Sequence, residues 1–127
     1  MNNYKWIEWV LRIGVAGEFL GHGVFALQGK PQWIGWFSNF GITDVALAGQ
    51  LLFAVGALDI IVALIVLTRP IRLVLLWAAF WGFWTALVRP LVGEPIWDFI
   101  ERFANWAAPL ALLLMRGWPN SVKGWFK

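Results

Sequence analysis

The chain has no cysteine, one histidine, one tyrosine and few charges: only 13% of its 127 residues are Asp, Glu, Lys or Arg. Each shortage removes a class of chemistry. Without cysteine there is no disulfide, no thiol nucleophile, and no zinc or iron–sulfur site built on thiolates. A lone histidine cannot supply both axial ligands of a bis-histidine haem, so haem would need a dimer or a partner for its second ligand. No Ser-His-Asp spacing, glycine-rich phosphate loop or cluster of metal-ligand residues is present. A soluble domain carries roughly a quarter charged residues, about twice the fraction found here. The natural solvent of this chain is therefore lipid.

What is present is apolar and aromatic: 61% hydrophobic residues, with 11 Trp and 10 Phe. The length fits one domain spanning residues 1–127,. The net charge of +3 does not point to nucleic acid, because the Lys and Arg residues are scattered at the ends of apolar segments. That placement reads as anchoring at a membrane surface. The first apolar stretch contains Arg12 and Glu18 and leads into Gln28-Gly29-Lys30-Pro31, unlike a cleavable signal peptide.

Four segments are long enough for helices crossing a hydrocarbon core of about 30 Å. They run from about 4 to 27, 45 to 67, 71 to 88 and 96 to 115. Thr43 or Asp44 suits the N-cap of the second. Arg69-Pro70 and Arg89-Pro90 bound the third, and Pro95 and Gly117 bracket the fourth,. Ile60 to Leu67 is apolar on every side, whereas a transmembrane β-strand alternates with period two. The expected fold is all-α, an integral membrane four-helix bundle. Between its first two helices, Gln32–Ile42 is too short to span. Trp33, Trp36, Phe37 and Phe40 recur there at helical spacing, which predicts a short interfacial helix. A re-entrant loop covering a cavity is the other reading of this stretch.

A cytoplasmic N-terminus places Lys5, Arg69, Arg72, Arg116, Lys123 and Lys127 inside, and Lys30, Arg89 and Arg102 outside. The excess of inner cations favours N-in and C-in. Close helix contacts are expected at small-xxx-small spacings: Gly17/Gly21, Ala78/Gly82, Ala104/Ala108 and Ala107/Ala111,. Pro109 is expected to kink the fourth helix.

Ionisable residues at membrane depth mark candidate sites. Glu18 and His22 are four apart, so a helix projects both from one face. From the helical rise they lie about 13 and 7 Å below the outer end of their helix. Arg102 and Asn105 of the fourth helix fall at about 8 and 12 Å, Asp98 and Glu101 precede them, and Arg89 and Glu94 sit at the mouth, which predicts a polar cluster in the outer half shared chiefly between those two helices,. Arg12 and Asp59 lie deeper, at about 22 and 21 Å, and opposite charges at one level predict a structural ion pair. Trp77, Trp81 and Trp84 share a face of the third helix, where indole rings could stack on a flat ligand; a lipid-facing or packing surface is the commoner origin of such a stripe.

Leu11-Arg12-Ile13-Gly14, Glu18-Phe19-Leu20-Gly21-His22-Gly23 and Gln28-Gly29-Lys30 resemble the opening of the DoxX family. Gly56-Ala57-Leu58-Asp59, Arg69-Pro70 and the run Ala108–Leu114 extend the likeness over nearly the whole chain. Asp59 departs from it, since glutamate is usual there. The resemblance implies a four-helix protein of bacterial inner membranes. Members include membrane partners of thiosulfate:quinone oxidoreductase, with relatives in methylamine-dehydrogenase maturation and redox-stress complexes. The leading expectation is a membrane subunit of a redox or quinone-linked complex, with lipid and other membrane subunits as partners. Glu18 and His22 would exchange protons with a flat ligand, and Trp81, Trp84, Arg102 and Asn105 would surround it. The competing readings are a non-catalytic assembly subunit and a small lipid-binding or transport protein.

Overall fold

The structure, a computed structural model, describes residues 2–127. Among these there is no strand; the elements are α1 (Asn3–Leu27), α2 (Pro31–Trp36), a 3₁₀ turn (Phe37–Phe40), α3 (Val45–Thr68), α4 (Arg72–Leu91), α5 (Ile96–Ile100), α6 (Ala104–Arg116) and α7 (Val122–Trp125). Three of them, α1, α3 and α4, are long and apolar enough to cross a membrane.

Local chemistry sets the ends. The Asn2 side chain accepts from Lys5 N–H at 3.0 Å to start α1. Asp44, rather than Thr43, caps α3, accepting from Ala46 N–H at 3.0 Å and Leu47 N–H at 3.4 Å,. At the end of α1, Gly29 adopts φ +69°. Lys30 N–H returns to the Phe25 carbonyl and Gly29 N–H to that of Ala26, the paired bonds of a Schellman motif. Gly93, Glu94, Arg89 and Pro90 repeat that closure after α4. For this reason α4 runs through Arg89-Pro90 to Leu91 instead of stopping at Val88. A proline in the last turn removes one helical bond, and the stop is made by Gly93.

The expected fourth helix, 96–115, is not continuous. The five-residue α5 is followed by a turn at 101–103 before α6 begins. Bonds such as Arg102 N–H to Phe99 O and Phe103 N–H to Ile100 O are three residues long, so the chain tightens here into 3₁₀ geometry,. With 13 residues, α6 is about 20 Å long, short of a membrane core by itself. The segment 32–42, expected as one short helix, is α2 and the 3₁₀ turn joined end to end.

The packed core is built from Val15, Ala16 and Phe19 of α1, Val62, Ala63 and Val66 of α3, Leu75 and Ala78 of α4, and Leu112 and Leu113 of α6. The α3, α4 and α6 members lie toward one end, hereafter the base, where α1 and α4 begin and α3 and α6 finish, and the α1 members lie near mid-helix. Arginines close the base. Arg12 donates to the Val66 carbonyl at 3.0 Å and to that of Leu67. Arg72 donates to Gly117 O at 2.8 Å, Lys127 O at 2.9 Å and Arg116 O. Arg116 pairs with Glu8 at 2.8 Å. Cations at helix C-termini satisfy carbonyls that have no helical donor and oppose the negative end of the macrodipole.

Glycines set two close approaches, and neither is the expected Gly17/Gly21 pair. Gly14, Gly17 and Gly21 face outward with nothing within 4 Å of where a Cβ would stand. The α1–α3 crossing instead uses Gly23 and Gly56: a Cβ on Gly56 would lie 2.8 Å from both Gly23 O and Leu27 N. The α4–α6 crossing uses Gly82, against the backbone of Asn105. Small-residue spacing identifies residues able to pack closely, but not which face of the helix meets a neighbour.

Candidate functional site

The opposite end, the top, is hollow. Between α1, α3 and α4 lies a cavity of ≈ 290 Å³, covered by α2 and the 3₁₀ turn. Its walls are aromatic: Trp33, Trp36, Phe37 and Phe40 from the cover, and Trp81 and Trp84 from α4. The polar groups reaching it are His22, Asp59, Thr85 and Arg89. Ligand sites are typically apolar cavities of about 300–1,000 Å³ with a few placed polar groups, so this one suits a small, flat molecule.

The sequence accounts for each wall. The Gly23–Gly56 contact brings the top of α1 onto α3, and His22, next to that glycine, turns toward the cavity. The α2 cover is held by its aromatics and by contacts from Lys30, Gln32 and Arg89. Trp33 meets His22 edge-on, with ring centroids 5.7 Å apart at 77°. Phe40 packs on Trp84 at 6.0 Å. Lys30 lies over Trp33 at 4.8 Å, and the Arg89 guanidinium over Trp36 at 5.1 Å, both within cation–π range. Gln32 donates to Glu94 at 2.7 Å, tying α2 to the loop after α4. Arg89 also donates to the Thr85 carbonyl at 2.5 Å. Trp77 stacks on Trp81 at 5.3 Å and 15°, fixing that wall from behind.

Of the expected site residues, the cavity brings together His22, Trp81 and Trp84, and leaves out Glu18, Arg102 and Asn105. Glu18, one helical turn below His22, is half-buried outside the lining. Arg102 donates to the Asp98 carbonyl at 2.8 Å and pairs with Glu101 at 2.6 Å. The Asn105 carbonyl faces Gly82. Of the expected outer-half cluster, Arg89 joins His22 at the cavity, while the fourth-helix residues are absent from its lining. The top of that helix is drawn to another face of α4 by Phe83, which meets Phe99 and Trp106 at 5.7 and 6.3 Å.

The expected Arg12–Asp59 ion pair is also absent. The ion pairs among the described residues are Arg102–Glu101 and Arg116–Glu8. Arg12 turns to the end of α3 and lies over the Trp9 ring at 3.9 Å. Asp59 is 3% exposed, and its Oδ1 is buried without a hydrogen-bond partner. Equal depth does not fix direction around a helix, and two free carbonyls suit a guanidinium fork well.

Of the two readings of segment 32–42, the short helix matches its conformation and the cavity cover its position, whereas Asp59, expected in a structural pair, lies in the cavity lining. Among the described residues no group of three or more His, Asp or Glu is arranged to hold a metal ion. No family model, curated protein or solved structure matches this chain.

Proposed function

We propose that this chain is an integral membrane protein of the bacterial inner membrane whose top-end cavity binds a flat, mostly apolar ligand. It works there as a DoxX-like subunit of a redox or quinone-linked complex. The observation carrying this reading is the cavity itself: six aromatic side chains around His22, Asp59 and Arg89, beneath a cover of its own. A quinone headgroup fits the aromatic walls, and His22 can donate or accept a hydrogen bond at a ring oxygen. In this reading α1, α3, α4 and the joined α5–α6 unit are the crossing elements. The base gathers Arg72, Arg116, Lys123 and Lys127 around one recess, which supports a cytoplasmic base with both termini inside.

The test is titration of the purified protein with a short-tailed quinone, followed by quenching of tryptophan fluorescence. Trp84→Ala and Trp36→Ala are each expected to weaken binding about tenfold, the equivalent of 1.4 kcal/mol, while leaving helix content unchanged. No saturable quenching in the wild type, or full affinity in both variants, would refute the reading.

The outward face of Gly14, Gly17 and Gly21 favours one second reading, in which α1 packs on a helix of a partner subunit. Gly17→Leu is expected to leave the monomer's stability within about 0.5 kcal/mol, as for a surface position. If the assembly reading holds, it will abolish co-purification with that partner. Unchanged association would dismiss the assembly role for this face.

A further inference from the structure

Asp59 has no counter-charge. The arginine level with it is committed to the Val66 and Leu67 carbonyls and to Trp9, yet Asp59 is 3% exposed, belongs to the cavity lining, and has a buried Oδ1 without a hydrogen-bond partner. Buried polar groups are nearly always satisfied, and an orphan in a native site calls for a functional explanation.

We propose that Asp59 receives a hydrogen bond from the ligand, and that the ligand is a neutral aromatic ring bearing a hydroxyl, a phenol or hydroquinone. This rests on the cavity being a ligand site and names the ligand's chemistry. Ionised or neutral, a carboxyl group keeps at least one oxygen that only accepts. A ring hydroxyl serves that oxygen in either state. A quinone carbonyl has no donor: it can meet the O–H of a neutral acid but leaves the accepting oxygen orphaned.

Three features select a neutral ring over an organic cation or a larger molecule. Arg89, 5% exposed, lines the same cavity and would repel a second cation. The flat indoles of Trp33, Trp36, Trp81 and Trp84 suit ring stacking,. The volume of ≈ 290 Å³ is at the lower limit for ligand sites, enough for one ring. Asp59 is about 21 Å along α3 from Val45, while Arg89 is only about 3 Å from the end of α4. Asp59 thus lies at the inner end of the cavity and Arg89 near its outer end.

The experiment uses the full chain in nanodiscs and a matched pair, one alkyl-substituted ring in its hydroquinone and quinone forms, titrated without oxygen. The hydroquinone is expected to bind about tenfold tighter, and Asp59→Leu, which removes both carboxyl oxygens, to reduce that preference below about threefold. The wild-type comparison needs no variant, so it stands even if Asp59→Leu fails to fold. Equal affinity for the two forms, or a preference for the quinone, overturns the proposal while leaving the cavity a quinone site. A hydroquinone preference that survives in folded Asp59→Leu overturns the role of Asp59. Binding of tetraphenylphosphonium without binding of either ring form overturns the neutral-donor assignment. If none of the three binds, the ligand-site reading fails and this proposal with it.

Discussion

Gly82→Leu is expected to abolish the docking of α6 on α4, and Gly82→Ala to cost about 3 kcal/mol, the upper end for overpacking a well-packed contact. A Cβ at position 82 would meet the Asn105 carbonyl, with its carbon 2.8 Å away and Trp106 N at 3.3 Å. Backbone cannot rotate aside as a flexible side chain can. That carbonyl also has a reason to be there. Pro109, four residues on, has no N–H to offer it, and close backbone contact at a glycine permits a weak Cα–H···O interaction instead. Pro109 and Gly82 therefore act as a pair, one freeing a carbonyl and the other making room for it. Unfolding in mixed micelles checks the cost, with Gly17→Ala as the control because nothing lies within 4 Å of its Cβ position. Wild-type stability in Gly82→Ala would show that α6 is not seated on α4 in this way.

That pairing also marks how far the sequence could be read. The run Val45–Thr68 is apolar apart from Gln50, Asp59 and its last residue, and has an Asp cap, so α3 was legible almost to the residue. Gly29 likewise announced the end of α1. Nothing in Glu101-Arg102-Phe103 is a helix breaker, so the turn there was not visible. The contacts of its flanks with Phe83 and Gly82 hold it, and contacts of that kind belong to tertiary packing. The site divides the same way. His22, Trp81 and Trp84 could be placed by depth and helical face, because a single helix carries that information. Asp59 could not be assigned a partner by depth, because its neighbours are decided by rotation about α3. The cover illustrates the point from the other side. The same aromatics that read as interfacial anchors at Trp33 and Trp36 turn inward once Lys30, Gln32 and Arg89 latch the segment down.

Arg12→Ala is expected to destabilise the fold by about 2–5 kcal/mol, because it strands two acceptors at once, each worth about 1–3 kcal/mol when left buried and unpaired. Val66 and Leu67 lie in the last turn of α3, where carbonyls have no helical donor of their own. Arg12 reaches them from α1 while its guanidinium rests on Trp9, so one side chain both fastens α1 to α3 and finishes the second helix. Arg12→Lys should recover less than half of the loss, since an ammonium lacks the planar fork and stacks poorly on indole. The decisive measurement is a double-mutant cycle with Asp59→Ala, read by reversible unfolding. Residues that share no contact add within about 0.5 kcal/mol, whereas a buried ion pair leaves a coupling energy well above that. Near-additivity is the expected result. It would mean that the Asp59 carboxyl group in the cavity lining is held apart from the arginine at its own depth. A coupling above about 1 kcal/mol would restore the ion pair.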